Sequence, residues 1–238
     1  MCGRYTLHTE KEVLAERFEF DVQALRALPP RYNVAPTDQV LALVERDGAR
    51  RPVFMRWGLV PSFSKTARGP AHMINARAET LAKNSAFRES LRAKRCLVLA
   101  DGFYEWSAPS KLAKHKLPHL IARADGAPFA MAGLWAEWHA RDALLAETVL
   151  SCTIVTTDAN AAVRPLHDRM PVILPREREG RWLDPALDGD LPALLALLAP
   201  VGADALVTRP VSRRVNSVKN DDASLLVPDP SEPSLGFF

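Results

Sequence analysis

The sequence has little that would place it in a membrane, outside the cell or on a nucleotide. No apolar run reaches the roughly 18 residues of a membrane-spanning helix, and no apolar stretch follows the first residues, so neither a spanning nor a secretory segment is expected. An exported protein would also lose the second residue with its signal. Cysteine is scarce. The three present, Cys2, Cys96 and Cys152, form no CxxC pair and no even framework, which points to a reducing cytoplasm. Internal repeats, a Gly-rich phosphate loop, a zinc-ligand cluster and a GxSxG elbow are all missing, which leaves solenoid, P-loop, zinc and serine-hydrolase readings without support. Charge is nearly balanced at a formal +3, a value that permits a polyanionic partner without requiring one. With 238 residues and 47% hydrophobic content, the chain is long enough to bury one sizeable core.

What is present begins at Met1-Cys2-Gly3-Arg4-Tyr5-Thr6. Removal of Met1, favoured by a small second side chain, leaves Cys2 with an α-amine and a thiol on one carbon frame. These groups ordinarily titrate near about 8 and about 8.5, so both are partly available at neutral pH. Such a pair attacks an acyl carbon through sulfur, or condenses with an aldehyde through nitrogen to an imine that sulfur closes to a thiazolidine. An incidental second-position cysteine is the plainer alternative, and the terminus alone leaves the two open.

Along the chain, Thr9 to Phe18 has helical spacing behind a threonine cap. Arg31 to Thr37 reads as an extended loop. Gln39–Val44 and Arg51–Trp57 flank Asp47-Gly48 as a hairpin. In His72 to Leu81, Asn75, Arg77 and Glu79 alternate with Ile74, Ala76 and Ala78, either the wet face of an edge strand or a lined groove. Asn84 to Arg95 reads as a helix, and Cys96–Ala100 as a buried strand. Glu105 follows between Tyr104 and Trp106, where desolvation would raise its pKa toward the range useful for proton transfer, unless it is a partnered structural carboxylate. Leu117–Arg123 and Phe129–Trp135 read as a hairpin across Asp125-Gly126, preceded by a basic loop from Ser110 to Lys116. Thr148–Thr157 is a long central strand. A short helical turn then delivers His167 to a loop tip, where side chains reach clefts. Helices follow Pro175, and Ala205–Ser212 is a last strand. The fold class expected is α+β: a mainly β single domain over 1–227, with a curved or barrel-like antiparallel sheet, peripheral helices and a loose tail at 228–238.

Seven segments taken together, Met1–Tyr5, Arg31–Pro36, Arg56–Pro61, Ile74–Thr80, Gly102–Trp106, His167–Pro171 and Val211–Asn216, resemble the SOS response-associated peptidase family, also called abasic-site processing proteins. The resemblance runs in register over nearly the whole chain. It implies binding of single-stranded DNA and covalent capture of the ring-opened aldehyde of an abasic site by Cys2. It further implies that Asn75 holds the terminal residue, Glu105 moves protons and His167 is a second acid or base. Arg4 and Arg77 would clamp phosphates, and Trp57, Trp106 and Pro36 would serve as platforms or wedges for bases. Phe63 departs from the tryptophan common in the family, so the edge of the stacking surface differs. Neither a metal nor a cofactor is expected, and the chain is expected to act as a monomer, away from any membrane. Two rivals remain: a cysteine-type, self-processing peptidase, and a non-catalytic single-strand binder.

Intact-mass measurement separates trimming from self-cleavage. The purified chain should lack Met1 alone, and so should a Glu105→Ala variant. Retention of Met1 in that variant alone would make the trimming autocatalytic.

Overall fold

The computed structural model describes residues 2–69, 73–107, 116–140 and 147–227. The basic stretch at 110–115, His72 and the expected loose tail at 228–238 lie outside them.

Short β-strands dominate, as the spacing of turn residues leads one to expect. They are β1 (Tyr5–Leu7), β2 (Arg31–Val34), β3 (Gln39–Arg46), β4 (Ala49–Trp57), β5 (Asn75–Arg77), β6 (Arg95–Ala100) and β7 (Gly102–Trp106). After these come β8 (Pro118–Arg123), β9 (Phe129–His139), β10 (Thr148–Asp158), β11 (Arg169–Pro171), β12 (Ile173–Leu174) and β13 (Leu206–Pro210). The described residues also hold α1 (Lys11–Phe18), α2 (Ser85–Ala93), α3 (Arg176–Leu183) and α4 (Leu191–Ala196). The Asp47-Gly48 hairpin forms between β3 and β4, with both turn residues at positive φ, the geometry whose twist suits two paired strands.

The larger sheet closes on itself. Strands β4, β3, β6 and β9 pair in that order, and β10 pairs with both β9 and β4, completing a five-stranded barrel. Closure removes exposed edges and explains why β6 is buried on both faces: the barrel lumen takes one side, while α3 covers the other and Trp182 Nε1 donates to Cys96 O at 3.1 Å. Gly133 of β9 is required by that packing, since a Cβ there would stand 2.7 Å from Cys96 Sγ. The second sheet, in the order β13-β8-β7-β1-β2, has five strands.

Several expectations change. The barrel is mainly antiparallel, but β10 runs parallel to β4 and β5. Arg31–Val34 is a strand and not a loop, because Asp221 Oδ1 accepts from Tyr32 N and Asn33 N at 2.5 and 2.9 Å and satisfies that edge. The strands β8 and β9 are no hairpin. They belong to different sheets, so the Asp125-Gly126 turn carries the chain from one to the other. Thr9 does not cap α1: Glu10 holds the cap position without a side-chain bond, and the Thr9 hydroxyl donates to Asp101 Oδ1 at 2.6 Å. At α2 the expected start is observed, with Asn84 accepting from Ala86 N at 3.0 Å.

Charge also fixes the helices. Glu179 of α3 is fully buried and takes Arg17 of α1 at 2.7 and 3.2 Å and Arg50 of β4 at 3.4 Å. Removing the carboxylate strands two cations. A Glu179→Ala variant should therefore lose about 3 kcal/mol, read as a lower urea midpoint at unchanged slope. A loss well under ~1 kcal/mol would place the cluster among ordinary surface pairs.

Candidate active site

The site is built where the two sheets meet. Strands β1 and β7 pair with Tyr5 opposite Phe103, and the ladder extends outward through Tyr104 N donating to Arg4 O at 2.9 Å. Continued by one residue, this antiparallel register sets Gly3 opposite Glu105. Cys2 is thereby carried into the interior, where it is fully buried with Sγ 4.0 Å from Arg4 O.

Asn75 reaches the same point from the barrel. Strand β4 leaves β10 at Gly58, whose φ of +127° suits glycine alone and where a Cβ would meet Arg56 Nη1 at 3.0 Å. The chain loops out and returns as β5, which takes up the vacated edge of β10 with Asn75 opposite Ile154. Asn75 Nδ2 then donates to Cys2 O at 2.7 Å. Its Oδ1 is buried without a hydrogen-bond partner among the described residues. The expected alternation holds for Asn75, Ala76 and Arg77 only, because Glu79 lies in a 3-10 turn. Asn75 and Ala76 are buried and β5 is paired, so this is no wet edge face.

Glu105 is 4% exposed, enclosed near the end of β7 and opposite His119 of β8. Burial raises its carboxyl pKa above the ordinary value, while the charge of His167 acts in the opposite direction. Burial likewise pushes the Cys2 thiol well up, and the nearby Glu105 carboxylate adds to that push. Glu105 is thus within electrostatic reach of both Cys2 and His167, and Asn75 is hydrogen-bonded to Cys2.

His167 stands after a run of turns that Asn160 initiates by accepting from Ala162 N and Val163 N, both at 3.1 Å. Its Nδ1 is 2.9 Å from Arg169 N and 2.7 Å from Asp168 Oδ1. Arg169 is largely buried and anchored to Asp158 at 2.7 Å, Glu79 at 2.8 Å and Thr156 O at 2.9 Å. Nothing in the sequence pattern announced that cluster. It forms one wall of a cavity of about 600 Å³, with His167, Arg77 and Arg164 on the others.

The residues expected to hold a strand divide. Arg77 is exposed beside this cavity. Pro36 lines a second cavity of about 500 Å³ with Arg56, Arg68 and Ile74. Trp106 is half-buried, with Nε1 donating to Asn216 Oδ1 at 2.7 Å. Phe63 is 58% exposed. Arg4 is tied inward, its Nη1 donating to Asn33 Oδ1 and Val215 O, both at 2.7 Å. Trp57 also lines that second cavity, but its side chain is buried, the ring 5.4 Å from that of Tyr5 and Nε1 donating to Ile74 O at 2.9 Å. Among the described residues, no group of three or more His, Cys, Asp and Glu side chains could hold a metal ion.

Fold and site together define a β-barrel protein in which Asn75 is hydrogen-bonded to Cys2 and Glu105 is electrostatically coupled to it. The sequence model of the SOS response associated peptidase (SRAP) family matches residues 1–218, and the chain belongs to that family. It is 39% identical over 227 residues to the abasic site processing protein YoaM of Bacillus subtilis, covering 95% of this chain and 97% of that one. It is 35% identical over 234 residues to the abasic site processing protein YedK of Escherichia coli, covering 96% and 100%. Against the abasic site processing protein HMCES of Mus musculus, identity is 30% over 275 residues, covering 96% of this chain and 76% of that one. A solved structure from Bacteroides thetaiotaomicron has the same fold, with a TM-score of 0.83 at 24% identity, covering 96% of this chain and all of that one. A phage-related protein from Bordetella bronchiseptica matches with a TM-score of 0.68 at 32% identity, covering 89% and 95%.

The raised Glu105 pKa has a measurable sign. The folded state holds this proton more tightly than the unfolded chain, so the carboxyl costs stability as pH rises from the ordinary value of 4.5 through the raised one. A Glu105→Gln variant lacks this loss. Thermal melts from acid to neutral pH should show the variant gaining on the unaltered protein across that window, whereas a constant gap would mean that burial does not perturb Glu105.

Proposed function

We propose that this chain captures abasic sites in single-stranded DNA by forming a covalent thiazolidine through Cys2 after Met1 is removed, and so shields the lesion. The observation that carries the reading is the Asn75 amide on the Cys2 carbonyl together with a buried Glu105 coupled electrostatically to both Cys2 and His167. The names of the curated relatives, abasic site processing proteins, agree with it.

The chemistry follows from the electrostatics. A thiol whose pKa is pushed up by burial stays S–H at neutral pH, so the α-amine is the better first nucleophile. Nitrogen attacks the C1′ aldehyde, and protonated Glu105 gives its proton to the departing hydroxyl, which leaves as water. A protonated imine remains and Glu105 is ionised. The thiol then gives its proton to Glu105, directly or through His167, as sulfur adds to the imine carbon, and the nitrogen keeps its own proton as the ring amine, so Glu105 ends protonated as it began. One water is lost overall. Closing the five-membered ring costs little entropy because both nucleophiles share one residue. Asn75 holds the Cys2 carbonyl, and its Oδ1 is available to accept from the new terminal amine.

On this reading the strand lies over the two cavities, with Arg77 meeting phosphate and Pro36 and the exposed edge of Trp106 against bases. The protein acts alone, without metal or cofactor. No helix among the described residues is long and apolar enough to cross a membrane. A cysteine peptidase reading asks for a thiolate at neutral pH, the reverse of the direction in which Cys2 is shifted.

If sulfur is absent, the imine persists and acidifies the C2′ proton, so the 3′ phosphate can be eliminated. Cys2→Ser, which keeps the amine, should trade the stable crosslink for transient adducts and strand cleavage on denaturing gels of an abasic oligonucleotide; Cys2→Ala should do the same. A full-strength, denaturant-resistant adduct from Cys2→Ala would contradict the assignment.

A further inference from the structure

The segment from Val211 to Leu226 takes no part in the chemistry above, yet it binds the neighbours of both principal reactants. It folds back across the second sheet and buries Val211, Val215 and Leu225 against Tyr104 and Leu120. Asn33, nearly fully buried, donates from Nδ2 to Val215 O, Ser217 O and Asn220 O at 3.2, 3.0 and 2.7 Å. Asp221 accepts from Arg31 Nε at 2.5 Å as well as from the two backbone N–H groups of β2. This strap is therefore fixed to the sheet independently of the site.

From that base it reaches two side chains. One is Arg4, two residues after Cys2, which donates to Val215 O at 2.7 Å. The other is Trp106, one residue after Glu105, whose Nε1 donates to Asn216 Oδ1 at 2.7 Å. The Arg4 guanidinium lies 6.0 Å from the Trp106 ring centroid, so the indole is held at its edge by Asn216 and faced by a cation. Strand β7 ends at Trp106. Beyond it, the main chain is held by Ser107 N donating to Leu117 O at 2.9 Å. The orientation of the outgoing peptide of Glu105 thus depends in part on where the indole of Trp106 is pinned.

We propose that Asn216 is a positioning residue for the capture reaction: by accepting the indole N–H of Trp106 it fixes the end of β7 and so the Glu105 carboxyl against Cys2. The inference rests on the capture reading. Asn216 touches neither reacting group and is exposed, so its replacement leaves the core intact.

Single-turnover crosslinking of an abasic single strand tests it, giving the rate at saturating protein, the protein concentration at half-saturation and, separately, the thermal midpoint. Asn216→Ala should lower the saturating rate roughly tenfold, the size of effect that a small misplacement of a reacting group produces. Half-saturation should rise by clearly less than the rate falls, because Asn216 itself contacts Trp106 and not DNA, and Trp106 offers bases only its exposed edge. Asn216→Asp keeps an oxygen acceptor for the indole and should restore the rate. Trp106→Phe should slow the reaction, and combining it with Asn216→Ala should add no further loss through this contact. An unchanged saturating rate in Asn216→Ala, no rescue by Asp, or a weaker half-saturation at full rate would each overturn the proposal. Absence of any adduct from the unaltered chain would instead overturn the capture reading, and this inference with it.

Discussion

The ends of a chain are ordinarily its least ordered part, and this site depends on one being held still. Two bonds hold it. The Tyr104 N–H to Arg4 carbonyl contact extends the β1–β7 ladder toward the terminus, and the Asn75 amide takes the Cys2 carbonyl. One comes from the second sheet and the other from the barrel, so the residue is fixed from two sides. On the proposed capture reading, a nucleophile anchored this way has part of its translational and rotational entropy removed before a substrate arrives.

The barrel supplies the second anchor through an irregularity in its own closure. A ring of five strands joined only by β10 to β4 would bury that seam throughout. Here the parallel contact between them lasts for two residue pairs before Gly58 turns the chain away and β5 takes over the edge. The loop released between β4 and β5 walls the cavity at Pro36 and Arg56, while the replacement strand carries Asn75, buried, and two residues on Arg77, exposed. One departure from ideal geometry therefore makes both an anchor for the terminus and part of the candidate strand-binding surface.

Much of this is legible in the sequence where a residue type carries its own meaning. The Asp47-Gly48 turn, the Asn84 cap and the unbroken apolar run of β6 follow from local chemistry, and Cys2, Glu105 and His167 stand out because few residues do acid, base or nucleophile work. What is not legible is pairing at a distance. The Asp125-Gly126 turn announces a reversal without saying which sheet receives the next strand. Trp57 looks like a platform until its indole N–H is found bonded to the Ile74 carbonyl inside the core. The Asn33 hub is least visible of all, because its partners are backbone carbonyls about 180 residues away, and a carbonyl has no sequence signature.

The most direct measurement is mass spectrometry of the product formed with an abasic single strand, after nuclease and protease digestion. The expected species is the N-terminal peptide beginning at Cys2, carrying the sugar remnant less one water, with its thiol no longer open to alkylation. A remnant on any other residue, a terminus that still bears Met1, or a Cys2 thiol that alkylates normally within the adduct would contradict capture by the paired amine and thiol.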